Sequence, residues 1–217
     1  MSNKLLDRLS AIPYTGAISD ILDEMGFRMQ VLPKEIQSLK PGQTLAGRAV
    51  TAYGVETTST DPEVIFVPFL KLLGSLVDGD VIVLQPNGEN CSHIGELSSE
   101  TAKFRGARGA VIDGGARDWS YIEKLDFPVY AKYKTPADIN GRWCLSDYNT
   151  PIIIGQTTIE HGDYIVGDSD GVVVIPSVVI EEVVAKAEAC IHTENLVRLE
   201  ILQGVHPLEA FRKYGRF

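Results

Sequence analysis

The spacing of apolar residues along this chain changes repeatedly between two periods, and each change marks an element. Ile18, Ile21, Leu22 and Met25 recur at helical spacing between a capping Thr15 and a terminating Gly26, which predicts a helix over Thr15–Gly26. Leu45–Tyr53 alternates as a strand does, after a loop punctuated by Pro33 and Pro41. Val64–Leu73 is apolar and long enough for a buried helix, whereas the short continuous run Val81–Leu84 suits a strand covered on both faces. Pro86–Ser92 is rich in Gly and Asn and reads as a loop.

The second half repeats the alternation of helix and strand. From Gly95 the chain reads GELSSETAKFRGARGAVIDGGARD: helix formers up to Phe104, glycine breaks at Gly106 and Gly109, an apolar strand at Ala110–Ile112, then a glycine pair before Arg117 and Asp118. A short helix over Trp119–Leu125 and a strand over Phe127–Lys132 follow. Further strands are expected at Pro151–Ile154, Thr158–Ile159, Tyr164–Val166 and Val172–Ile175, the last two flanking the Gly167–Gly171 turn. Val178–Leu202 predicts one long helix, with Val179, Val183, Ala187, Cys190 and Ile191 on one side. The tail offers Phe211, Tyr214 and Phe217 as packing anchors. With no repeat, linker or low-complexity segment, residues 1–217 read as a single α/β domain.

Charge narrows the function classes. A net charge of -9 leaves no basic face for nucleic acid as the main partner. No run reaches membrane-spanning length and the first ten residues lack the apolar core of a signal peptide, so a cytoplasmic protein is expected. Cys91, Cys144 and Cys190 are widely spaced and outside any CxxC pattern, which predicts reduced thiols and no zinc site.

The chemistry concentrates between Gly95 and Asp118. A helix of about nine residues at ~1.5 Å each matches a strand of four or five at ~3.3 Å. Arg117 and Asp118 should therefore return to the backbone N–H groups of Gly95, Glu96, Leu97 and Ser98. A helix N-terminus suits a carboxylate or phosphate. Arg117 adds a planar fork for oxygen anions, and Asp118 is a hard ligand for Mg²⁺ or Mn²⁺. The plainer alternative is a glycine-rich turn closed by a surface Arg–Asp pair. Elsewhere, Lys132 and Lys134 are the only tempting lysines for a Schiff-base route, and a lone His93 is expected as a polar surface residue. Asp113, Asp168 and Asp170 sit beside glycines as turn formers, and Glu123 is expected to be solvated. The early glycine-rich nucleotide loop that a methyltransferase needs is missing.

Seven segments in order resemble one family. They are YTGAISDILDEMG, LAGRAVTAYGVETT, VDGDVIVL, the central stretch, FPVYAKYKTPAD, HGDYIVGDSDGVVVIP and EAFRKYG. The resemblance is to the RraA-like family, which includes 4-hydroxy-4-methyl-2-oxoglutarate/4-carboxy-4-hydroxy-2-oxoadipate aldolases. It implies a swivelling-type β/β/α fold, trimers or pairs of trimers, and divalent-metal-dependent cleavage of 2-oxo acids to pyruvate, with oxaloacetate decarboxylation as a side activity. It also implies a carboxylate-binding loop at Gly95, Glu96, Leu97 and Ser98, the family's arginine at Arg117 and its metal ligand at Asp118. Glu96 stands where the characterised aldolases carry Asp, an acid one methylene longer. The regulator of ribonuclease E that names the family lacks the metal-ligand Asp, so Asp118 favours an enzyme over a non-catalytic, protein-binding regulator. Acids such as Glu56 or Glu194 of a neighbouring subunit are expected to complete the pocket.

Overall fold

The computed structural model describes residues 3–12 and 14–216; the tail anchor expected at Phe217 lies outside them. Helices α1 (Asn3–Ser10) and α2 (Thr15–Glu24) lead into strands β1 (Gln37–Ser38) and β2 (Leu45–Glu56). Then come α3 (Pro62–Ile65), α4 (Val67–Ser75), β3 (Asp80–Gln85), β4 (Ser92–Ile94), α5 (Glu96–Phe104), β5 (Gly109–Ala116), α6 (Trp119–Leu125) and β6 (Val129–Lys134). The chain closes with β7 (Trp143–Tyr148), β8 (Ile152–Ile154), β9 (Thr157–Ile159), β10 (Tyr164–Gly167), β11 (Val172–Ile175), α7 (Ile180–Leu202) and α8 (Pro207–Tyr214).

One sheet organises everything. Its strand order is β1-β6-β5-β3-β2-β10-β11, with β4 added beside β5 and β7 beside β2. The β2, β3, β5 and β6 ladders are parallel and joined by helical crossovers, while β10 and β11 return antiparallel. The segment 30–38 spans the two edges: Leu32 N donates to Val172 O on β11, and Gln37 pairs with Ala131 on β6. The sheet is thereby nearly closed into a barrel.

Side-chain alternation explains the layers, because successive residues of a strand face opposite sides. Val81, Val83, Val111, Ile165 and Val174 point into the barrel, where Ile152, Ile154 and Ile159 of the β8–β9 hairpin join them. Their neighbours Ile82, Leu84, Ala110, Ile112 and Val129 face outward, against Leu72 and Leu73 of α4, Ala102 of α5 and Ile122 of α6. On the far side Tyr164, Val166, Val173 and Ile175 meet Ile18, Ile21 and Leu22 of α2 and Val183, Val184 and Ala187 of α7. A barrel core between two helical layers is the β/β/α architecture expected from the resemblance.

Several expectations need correction. The single helix over Val64–Leu73 is two, broken at Phe66, because Pro68 has no N–H and its ring clashes with a preceding carbonyl. Thr15 does not cap α2 from the N-cap position; it is the first helical residue, and its N and Oγ1 both donate to the Asp168 carboxylate. Asp168 also accepts from Asp170 N, so it forms its turn and caps a distant helix at once. Val178 and Val179 belong to a 3₁₀ turn ahead of α7. The Pro86–Ser92 loop ends in β4, and β7 was not foreseen.

Candidate active site

The sequence expects Arg117 and Asp118 to meet the start of α5, and they do, although by a different route. β5 runs for 8 residues, longer than the apolar run alone predicted. The level is set by β4, which pairs in parallel with the end of β5, Ser92 opposite Gly115 and Ile94 opposite Ala116. Arg117 N donates to Ile94 O at 3.0 Å, so the first turn of α5 begins beside the residues that end β5.

Four backbone N–H groups were expected to be open at this terminus, and two are already used. Gly95 N donates to Ser98 Oγ at 2.9 Å, and Glu96 N donates to Asp118 Oδ2 at 3.2 Å. Leu97 and Ser98 keep the donors that a helix start leaves unpaired. The same Asp118 Oδ2 lies 3.5 Å from Arg117 Nε, and Arg117 Nη1 donates to Asp138 Oδ1 at 3.0 Å. Asp138 was not foreseen as a site residue, though it closes the family-like segment FPVYAKYKTPAD. It fixes one arm of the guanidinium.

Two backbone features make the close approach possible. Asp118 adopts φ 56° and ψ 30°, a left-handed conformation that is costly for a residue other than Gly and clusters at functional sites. Gly95 has no Cβ, and one placed there would sit 2.7 Å from Asp118 Oδ2 and 3.1 Å from Arg117 Cγ. Only glycine lets the aspartate reach the Glu96 amide.

Behind this loop lies a histidine whose position the sequence misjudged. His93 is 3% exposed, not a surface residue. Gly115 N donates to its Nδ1 at 3.2 Å, its ring meets Trp143 edge-on at 5.1 Å, and Nε2 lies 3.6 Å from Cys91 Sγ. Burial pushes its pKa down to about 4. Burial likewise raises that of the Cys91 thiol, so the pair is neutral and no thiolate nucleophile arises. A side chain at Gly114 would strike Nδ1 at 2.6 Å, which accounts for the first glycine of the pair.

The other candidates fall away from the centre. Asp113 is not a turn former: it lies inside β5, ion-paired with Lys132 at 2.6 Å, and desolvation raises its pKa against the pull of that lysine. Lys132 is thereby committed, and Lys134 Nζ stands 3.0 Å from the centroid of the Trp119 ring. Glu123 is exposed as expected. Glu194 is held within its own chain by Arg216 and accepts from Cys190 Sγ, whereas Glu56 accepts from Asn90 Nδ2.

A cleft of about 300 Å³ joins Arg117, Asp118, Asp138, Glu96 and the Leu97–Ser98 turn to an apolar wall from α4. Among the described residues no three His, Cys, Asp or Glu side chains converge as a metal cage. Asp118 would then be a single protein carboxylate for a cation. That still fits Mg²⁺, which binds through one or two carboxylates and keeps its other positions for water and substrate oxygens. Among the described residues no helix is long and apolar enough to cross a membrane.

Residues 15–174 match the model of the RraA-like family, described as Aldolase/RraA. The chain belongs to this family. A relative from Halalkalibacterium halodurans, named "Putative 4-hydroxy-4-methyl-2-oxoglutarate aldolase", is 34% identical over 184 residues, 84% of this chain and 81% of that one. An uncharacterized protein from Pseudomonas syringae pv. tomato superposes with a TM-score of 0.87 at 28% identity, covering 99% of this chain and 95% of its own. Streptomyces coelicolor RraAS2, described as an unusual member of the RNase ES inhibitor RraA protein family, gives 0.83 at 25% identity, with 92% and 98% covered.

Proposed function

We propose that this RraA-like protein is a lyase that cleaves a 4-hydroxy-2-oxo acid to pyruvate by a retro-aldol reaction, assisted by a divalent cation at Asp118. The observation that carries the proposal is the convergence of Asp118, Arg117 and the α5 N-terminus within one cleft, with Asp118 held in a left-handed backbone. The names of aldolase relatives support the lyase class.

In this scheme the substrate carboxylate takes the N–H donors of Leu97 and Ser98, where the helix dipole favours an anion. Arg117, steadied by Asp138, donates to the 2-oxo oxygen and stabilises the charge that gathers there as the enolate forms. Glu96, whose carboxylate lines the same cleft, would take the proton from the 4-hydroxyl, directly or through a water. The C3–C4 bond then breaks, its electron pair enters the enolate, the C4 fragment leaves as an aldehyde or ketone, and C3 is reprotonated to give pyruvate. A bound Mg²⁺ or Mn²⁺ would polarise the 2-oxo carbonyl as a Lewis acid. Oxaloacetate would yield the same enolate by losing CO₂, so decarboxylation belongs to the same site.

The likeness to RraAS2 favours a second reading, a non-catalytic regulator that binds a protein partner. One assay separates the two. Purified protein with Mg²⁺ is offered a panel of 4-hydroxy-2-oxo acids and oxaloacetate while pyruvate is followed. Turnover of at least one is expected; a flat response to all of them would leave the regulator.

A further inference from the structure

A second cavity lies at the other end of β5 from Arg117 and Asp118. Arg108, which lines it, directly precedes β5, so roughly 25–30 Å of strand at ~3.3 Å per residue separates it from Arg117. The cavity holds about 170 Å³, close to the space of about half a dozen waters. It opens because the antiparallel β2–β10 ladder carries small residues here, Ala46 opposite Val166 and Gly167 opposite Leu45. Gly167 cannot be larger, since a Cβ there would sit 2.8 Å from the Tyr130 ring.

The lining combines two kinds of surface. Leu9, Ile12, Leu45 and Val166 are its apolar part. Arg108 and the hydroxyl residues Ser10, Tyr14 and Thr44 are its polar part, with Asp168 as the one acid. The two charged groups are not equally spent. Asp168 accepts from Thr15 N at 2.7 Å, Thr15 Oγ1 at 2.9 Å and Asp170 N at 2.8 Å, which uses most of a carboxylate's acceptor capacity. Arg108 donates from Nη1 to Ser10 Oγ at 3.1 Å. Its Nη2 lies 3.8 Å from Asp7 Oδ1, beyond hydrogen-bond length, and the Asp7 side chain is 69% exposed, so that pair is weak. Most of the guanidinium fork is left for an incoming anion.

We propose that this cavity binds a short-chain monocarboxylate, its carboxylate on Arg108 and a tail of about two to four carbons over Leu9, Ile12 and Leu45. The fork matches the two carboxylate oxygens and replaces the water they give up. The tail covers apolar surface. This site does not depend on the lyase reaction at Asp118.

Titration calorimetry with butanoate tests it, in an Arg117→Gln background so that the active-site cleft cannot supply the guanidinium. One site per chain is expected, and adding Arg108→Gln should weaken binding by about tenfold or more. Butanamide, of the same shape without the charge, should bind the Arg117→Gln protein about tenfold more weakly than butanoate. That comparison leaves Arg108 in place, so it decides the matter even where the Arg108 variant folds poorly. Acetate and inorganic phosphate, which carry charge with little or no tail, should both bind more weakly than butanoate. The proposal is overturned by no butanoate binding, by binding indifferent to Arg108 or to the charge, or by phosphate binding as tightly as butanoate.

Discussion

Arg117 is asked to do two things that a lysine cannot do together: donate to Asp138 in a fixed direction and present its remaining N–H groups to a substrate oxygen. Arg117→Lys keeps the charge and loses the fork. We expect kcat to fall by about ten- to a hundredfold, more than KM rises; a change in KM alone would make Arg117 a uniform binder. Gly95 is the complementary case. In Gly95→Ala the new Cβ meets flexible side-chain atoms of Asp118 and Arg117 instead of backbone, so the fold should survive while the two groups are displaced. Misplacements of about 1 Å can lower rates by up to about a hundredfold. Loss of activity at a nearly unchanged melting temperature is the expected result, and wild-type activity would show that the close approach is dispensable. Arg117 and Asp118 were legible from the sequence because residue type and motif coincide in one stretch. Asp138 was not, since nothing local marks a loop aspartate that acts across 21 positions.

At the level of elements, long periodic segments were legible and short ones were not. α6 has the predicted bounds, and β11 also matches. β4 was missed because it is 3 residues long and carries a serine and a histidine, so its burial comes wholly from packing. β7 shows buried Trp143 and Leu145 among polar neighbours, a pattern too short to register against its loop-like surroundings. The level of Arg117 depends on β4, and so does the position of His93. Here the imidazole acts as a backbone surrogate: where the β4–β5 ladder shifts register, Nδ1 accepts the Gly115 amide. Only the neutral ring can do so. The folded pKa, about 4, lies below the ordinary value near 6.5. The contribution to stability is therefore present above about pH 6.5 and is lost as pH falls toward 4, by roughly 3 kcal/mol in total. Denaturant midpoints of wild type and His93→Gln between pH 7 and 4 should show the wild type losing more. Parallel curves would mean that His93 does not titrate in this way.

For the whole molecule, the resemblance implied the β/β/α layering, and the barrel core accounts for it through strict alternation along β3, β5, β10 and β11. Near closure of the sheet was not legible, because segment 30–38 is proline-punctuated and pairs at both edges by only a few bonds. On α5 two large apolar side chains are left exposed, Leu97 at the cleft at 75% and Phe104, two turns further along, at 90%. We propose that a second subunit covers this face, making a trimer or hexamer the active form. Light scattering coupled to gel filtration, with activity read on each fraction, should place turnover in a species several times the chain mass of 23.7 kDa. An active monomer would contradict it.

The most direct measurement is a metal titration of pyruvate release. Protein stripped with EDTA and returned to increasing Mg²⁺ should regain activity in the wild type. Asp118→Asn, nearly isosteric and folded by circular dichroism, should stay inactive at every concentration. Full activity of the stripped protein, or equal recovery in Asp118→Asn, would contradict the placement of metal-assisted cleavage at Asp118.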